Sequence, residues 1–514
     1  MKNTRLLFLI FCLTFVVFWI RGGIILDPDF GWHLRMGQLI ITSGIPKTDP
    51  FSYTMSSFPF VDHEWLTNVI IARLYPLLGG IGLAGIYALF AFSALLLALE
   101  RSSASKIPPE TEKKLKMGTW LLSAAAIFFF QGLRPQIISW FFISLLLLIL
   151  FKKKYQKFLF AVPLLLFLWA NLHGSFAIGI FFLAFYCLMK SISEKRFALK
   201  EFIILSFCFL VTLVNPYQTR LWGEVWQQFS DSSLRWTIIE WGPGILHFNF
   251  AFWFLVAIIS VFLFRYWQKY SQIEKCFLLL LLALALTTVR HTPFFVIFVL
   301  PMIFEGFIIF YQEIQKILFA QQRFDRFSSY YFYLGLIVFL LSVLTSLPGV
   351  ILMRENSFYP TEAVKYLKKY SPVKRIFSKY VWGGYLIWKL PEQKVFIDGR
   401  MPSWRWGKKI SGESNYVMKE YLDLLSEENF YEEISHKEIS YKEISYKEIF
   451  GKYQIGTVLW SAPQPESYFN HLVGRLEKWL FPQKTNFNFL SQLESDGWQL
   501  VYRDKVAVIY QKSK

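Results

Sequence analysis

Apolar runs at about 6–26, 79–99, 117–133, 136–151, 158–170, 176–189, 201–214, 250–268, 276–290, 292–310 and 329–350 dominate the first 350 residues of this 514-residue chain. Their lengths, roughly 14 to 22 residues, are near the ~20 that a helix needs to cross a bilayer. In lipid a spanning segment must satisfy its own backbone amides, which a helix does. The chain is therefore expected to be a polytopic α-helical membrane protein with about eleven crossings. The pair 158–170 and 176–189 is short enough for a re-entrant hairpin, and losing both crossings leaves every other loop on its side. Lys2 and Arg5 precede the first run, but no small-residue cleavage site comes before Asp27, so the run reads as a retained helix rather than a signal peptide.

A net charge of +18 would suggest nucleic acid in a soluble protein. Here Lys and Arg gather in "ERSSASKIPPETEKKLK", "KKKYQK", "KSISEKRFALK", "RYWQKYSQIEK" and "QEIQKILFAQQRFDR", all between apolar runs. Such loops set topology, and they agree on a cytoplasmic N-terminus. Nucleic acid is excluded as a partner. The opposite side then receives 27–78, "GLRP" at 132–135, "NLHGS" at 171–175, 215–249, "RHTP" at 290–293 and the tail from 351. Before the tail the histidines are His33, His63, His173, His247 and His291, and each falls on that side. The asymmetry predicts an active outer face. Cys12, Cys187, Cys208 and Cys276 lie in or beside apolar runs and the tail has none, so no disulfide framework is expected.

The densest chemistry is "DPDFGWHLRMG" at 27–37, where Asp27 and Asp29 flank a proline that favours an extended backbone before it. Two carboxylates at a membrane boundary suit a base or a metal, whereas helix capping would use only Asp29. His63 and Glu64 open a second polar stretch. Arg134, Arg220 and Arg290 each end an outer helix, where a lone arginine commonly snorkels to headgroups. Arg290, with His291 beside it, has hardly any polar loop around it and is the best candidate for binding phosphate. His173, between apolar runs, needs a partner or a task. Asn171, Gly174 and Asn215 read as ordinary turn residues.

Residues 1–350 are thus expected to form the transmembrane domain, with a large outer loop at 27–78, and 351–514 an independent α/β domain. Its strand candidates are "RIFSKY", "KVFIDG", "IGTVLW", "WQLVYR" and "VAVIYQ". The segment 432–450 repeats a five-residue unit that fits neither helix nor strand period and reads as a surface insertion.

A first span ending in an acidic pair, a long outer loop, many further spans and an outer soluble domain together resemble the GT-C glycosyltransferases, among them protein O-mannosyltransferases, aminoarabinose transferases and oligosaccharyltransferases. "DPDFGWHLRMGQLIITSGIPKTDPFSYT" followed by "HEWL", and "YVWGGYLIWKLPEQKVFIDGR" at 380–400, resemble two signatures of an uncharacterised bacterial group of that kind. The resemblance implies transfer of a sugar, with inversion, from a polyprenyl-phosphate donor to an envelope lipid, glycan or protein at the outer face of the bacterial cytoplasmic membrane. It implies Asp29 as catalytic base with Asp27 as partner, and Arg290 on the donor phosphate. His291, Arg134, Arg220, His173 and His33 are the further substrate-binding candidates. A divalent cation, Mg, Mn or Zn, would take Asp27, Asp29, His63 and Glu64. The rival readings are a lipid-linked sugar transporter or flippase, for which internal repeats and midplane polar residues are missing, and an inert scaffold of envelope assembly.

Overall fold

A computed structural model describes residues 2–102, 107–234, 238–246, 249–315, 320–425, 446–463 and 489–512. His247 and most of the five-residue repeat, 432–445, lie outside the described residues. The rest divides into two compact units, one of 1–27 with 61–353, the other of 28–60 with 354–514. The later break between the units lies between 353 and 354. Residues 28–60, however, belong with the tail and not with the spans.

In the helical unit every expected apolar run falls in a helix. Among the described residues seven helices are long and apolar enough to cross a membrane: Arg5–Ile24, Trp65–Glu100, Lys153–Leu172, Phe176–Glu194, Phe250–Lys269, Val289–Ile314 and Gln322–Leu352. Helix Gln136–Phe151 is apolar but shorter, and the remaining runs sit in Pro109–Phe128, Leu199–Thr212 and Gln272–Thr287. Both halves of the suspected hairpin at 158–189 are thus of spanning length. The Val289–Ile314 helix is the most enclosed, with 83% of its apolar window buried. Pro109–Phe128 and Ala320–Leu352 meet through small residues: a Cβ on Gly335 would come within 2.7 Å of the Gly118 carbonyl oxygen. Between spanning helices such close backbone approach stands in for the hydrophobic drive that water would supply.

The tail unit is built on a four-stranded sheet in the order β1 (Arg375–Ser378), β2 (Ile455–Ser461), β4 (Ala507–Lys512), β3 (Trp498–Arg503). β1 and β2 are parallel; β4 is antiparallel to β2 and β3. Four of the five expected strands are present. "KVFIDG" is not a strand of this sheet, because its backbone pairs with residues 51–54: the Val395 amide donates to the Phe51 carbonyl at 2.9 Å, the Tyr53 amide to the Val395 carbonyl at 3.1 Å, and the Thr54 hydroxyl to the Phe396 carbonyl at 2.6 Å. Residues 28–60 therefore complete the core of this unit, and the expectation that 351–514 forms an independent domain is corrected.

Candidate active site

The end of the helical unit that carries Asp27 gathers six of its segments. The Asp27 carboxylate, buried at the end of the first helix, lies 2.5 Å from Arg134 Nε in the turn before helix Gln136–Phe151. Arg134 also pairs with Glu240. Burial would raise the Glu240 pKa, but Arg134 and then Arg290 outweigh it and hold the carboxyl below its usual range. Arg290 itself stands over the Trp241 ring, 5.3 Å from its centroid, and among the described residues no ion pair or hydrogen bond fixes its guanidinium. The order Asp27, Arg134, Glu240, Arg290 thus alternates in sign, and its last member acts on Glu240 at longer range, with no ion pair among the described residues.

A second chain of contacts centres on His173, the cap residue after helix Val162–Leu172. Its Nδ1 accepts from the Ser175 amide at 3.0 Å, so the ring proton resides on Nε2, which faces Glu64 Oε1 at 3.0 Å. Ser139 Oγ, 3.0 Å from the same Nδ1, accepts from the Trp169 indole at 2.8 Å. Burial lowers the His173 pKa, Arg290 adds to that, and Glu64 only partly opposes it. A neutral imidazole thus orients a buried carboxylate. His63 lies 3.6 Å from Glu64 and packs against Gly174, where a Cβ would stand 2.7 Å from the His63 ring. Asp62 accepts from the Asn68 side chain at 2.8 Å and anchors the start of helix Trp65–Glu100.

In the tail unit the two signature segments pack on each other. Asp29 occupies the N-cap position of helix Phe30–Ser43, yet its side chain makes no capping bond; Oδ1 accepts from the Trp32 indole at 3.0 Å. The capping explanation for this acid is therefore not the one adopted. Asp29 also faces Gly399, where a Cβ would meet Oδ1 at 1.8 Å. A Cβ on Gly31 would strike the Gly384 carbonyl oxygen at 2.1 Å, and one on Gly384 the Pro28 carbonyl oxygen at 2.3 Å. These glycines explain why "DPDFG" and "WGGYLIWKLPEQKVFIDGR" occur together: neither backbone could approach the other with side chains in the way. Beside them Arg400 donates from Nε and from Nη2 to Asp398 at 2.8 and 2.7 Å, while Nη1 lies 2.8 Å from Asp49.

Of the candidates read from the sequence, Asp27, Arg134, Arg290, Glu64, His63 and His173 converge in the helical unit. His291 is buried with Nδ1 3.4 Å from the Leu284 carbonyl oxygen, a backbone contact. Arg220 is exposed at the start of helix Thr219–Ser230 and forms no ion pair among the described residues. His33 is buried in the tail unit with its ring 3.7 Å from that of Trp32. The expected cation ligands do not assemble: Asp27 is committed to Arg134 and Glu64 to His173, and no group of three or more His, Cys, Asp or Glu side chains that could hold a metal occurs among the described residues. Glu240, Trp241, Ser139, Asp49, Asp398 and Arg400 are new to the picture.

No family model matches the sequence, and no curated protein matches it. A solved structure does: ArnT from Cupriavidus metallidurans bound to undecaprenyl phosphate, with 10% identity, a TM-score of 0.50, and coverage of 99% of this chain and 98% of that one. The chain has a GT-C-like fold. The resemblance drawn from the order of spans, outer loop and outer domain is met at the level of architecture. Among the described residues, the alternating charges of the helical unit and the glycine-seated Asp29 of the tail unit are built features with reactive groups.

Proposed function

We propose that the chain is a membrane glycosyltransferase that moves a sugar from a polyprenyl-phosphate donor to an envelope acceptor at the outer face of the cytoplasmic membrane. The observation that carries this reading is Arg290, a permanently charged fork laid on Trp241 without a close carboxylate, in a fold shared with a protein solved with undecaprenyl phosphate. Orientation is supported by the five Lys/Arg-rich loops, which join the helices at the ends away from Asp27.

In the proposed reaction an acceptor hydroxyl attacks the anomeric carbon from the side opposite the phosphate. The carbon–oxygen bond to phosphate breaks as the new glycosidic bond forms, which inverts the configuration. The hydroxyl proton needs a carboxylate acceptor, and Asp29, which Gly399 and Trp32 hold in place within the tail unit, is the candidate base. The departing lipid phosphate gains negative charge, which Arg290 neutralises. Arg134, already matched by Asp27 and Glu240, positions the cluster rather than meeting the donor. Because the cation ligands do not assemble, no step is routed through a metal.

A transfer assay on Asp29→Asn and Arg290→Lys tests the reading. Asn keeps the size and the indole contact of Asp29 but accepts no proton, so product formation should fall by about 10²–10⁴ with donor binding intact. Lys replaces a fork by a point charge, so donor binding should weaken instead. Full transfer by Asp29→Asn would overturn the assignment, and loss of lipid-linked sugar movement without any glycosylated product would favour the transporter.

A further inference from the structure

The far end of the same helices carries a cavity with different chemistry. Helix Gln136–Phe151 starts beside Arg134 and helix Phe176–Glu194 beside His173. At ~1.5 Å per residue their other ends lie about 24 and 28 Å away. There a cavity of about 450 Å³ opens between those two ends and the start of helix Leu199–Thr212. Leu150, Leu159 and Tyr186 give it an apolar wall, and Lys190, Arg196 and Lys200 bring three cations.

Its two carboxylates are already matched. Lys190 Nζ lies 2.6 Å from Glu201 and 3.9 Å from Glu194, and Arg196 Nε lies 2.8 Å from Glu194. Lys200, exposed, has no ion-pair partner among the described residues. The first-turn amides of helix Leu199–Thr212 add their positive dipole end at the same place. Phe197 and Leu199, both lining the cavity, are 65% and 60% exposed. These exposed apolar side chains stand beside the cations, so the cavity joins surplus positive charge to an apolar exit. That combination fits an amphiphile with an anionic head.

We propose that this cavity binds an anionic phospholipid of the adjoining leaflet, with its phosphate among Lys190, Arg196 and Lys200 and its chains along Phe197 and Leu199. A volume of this size accommodates a glycerophosphate head, and basic pockets between spanning helices suit anionic headgroups. The site is independent of the glycosyltransferase reading, since it lies at the other end of the unit and uses none of its residues.

The test is native mass spectrometry of the full-length protein taken from phosphatidylcholine bilayers with or without a minor fraction of phosphatidylglycerol. The triple variant Lys190→Gln/Arg196→Gln/Lys200→Gln should retain on the order of tenfold less phosphatidylglycerol, with phosphatidylcholine unchanged. Removing Lys190 leaves Glu201 unmatched, so Lys200→Glu is the second variant: it breaks no ion pair and should cost roughly fivefold or more. Lys269→Glu, in another basic loop, is the matched control and should retain wild-type lipid. Wild-type retention in both cavity variants, an equal loss in the control, or displacement of the lipid by millimolar inorganic phosphate would each overturn the proposal.

Discussion

Arg400 in the tail unit and Arg290 in the helical unit show what two arginines of one chain can be for. Arg400 is enclosed: Asp398 takes two of its donors, Asp49 the third nitrogen, and Phe51, Phe60 and Trp404 surround the guanidinium at 5.0 to 5.3 Å. Burial alone would lower its pKa, but the two carboxylates more than reverse that, so the charge is permanent and fully matched. Arg290 has one indole beneath it and no fixed carboxylate among the described residues. A matched buried cation builds structure, whereas a half-open unmatched one leaves its neutralisation to a ligand. The contrast predicts that stability and ligand binding separate cleanly between the two sites.

The sharpest way to break it is Arg400→Met. Removing one partner strands two buried carboxylates, and the expected loss is about 3–5 kcal/mol of tail-unit stability, read as a lowered denaturation midpoint of the full chain. An unchanged midpoint would show that the Asp49 and Asp398 contacts carry no weight. Next in size is Gly384→Ala, whose methyl would collide with the Pro28 carbonyl. The backbones of the two signatures must then part, at a cost of about 1–3 kcal/mol, and protease cleavage within 28–60 should accelerate. Cleavage at the wild-type rate would mean that the approach is not tight in solution.

A smaller effect is expected from pH. His173 is held neutral in the folded state, with its pKa lowered, while the unfolded chain titrates near the ordinary value of about 6.5. Above that pH both states are neutral and the residue adds no pH dependence. As pH falls below about 6.5 the unfolded chain takes up a proton first, so stability declines until the folded pKa is passed. Melting temperature measured downward from pH 7 should therefore fall, and His173→Phe should flatten that part of the slope. An identical slope in the variant would place the titration elsewhere.

Hydropathy made every long helix legible, because lipid imposes a length on each spanning segment that the residues must declare locally. Asp27, Asp29 and Arg290 stood out as candidates for a related reason: charge at a membrane edge is costly and therefore conspicuous. What stayed hidden depends on contacts across long stretches of chain. Glu240 sits in an irregular segment with no periodicity to mark it, and only its pairing with Arg134 gives it meaning. "KVFIDG" has the composition of a strand, but its partner is the loop at 51–54, more than 300 residues earlier, which no local pattern can announce. The same distance hid the Asp49–Arg400 pair and the membership of 28–60 in the tail unit. Of the expected cation ligands, Asp27 is paired with Arg134 and Glu64 with His173, contacts between distant segments that no local pattern announces.

The claim that Arg290 meets the donor phosphate is tested most directly by the affinity of the purified full-length protein for undecaprenyl phosphate in wild type and Arg290→Gln, with the melting temperature of each recorded alongside. The account predicts a loss of binding on the order of tenfold or more, as expected for removing one charged hydrogen-bonding partner of a phosphate, with the melting temperature nearly unchanged because no ion pair is broken. Equal affinity in the two proteins, both folded, would contradict it.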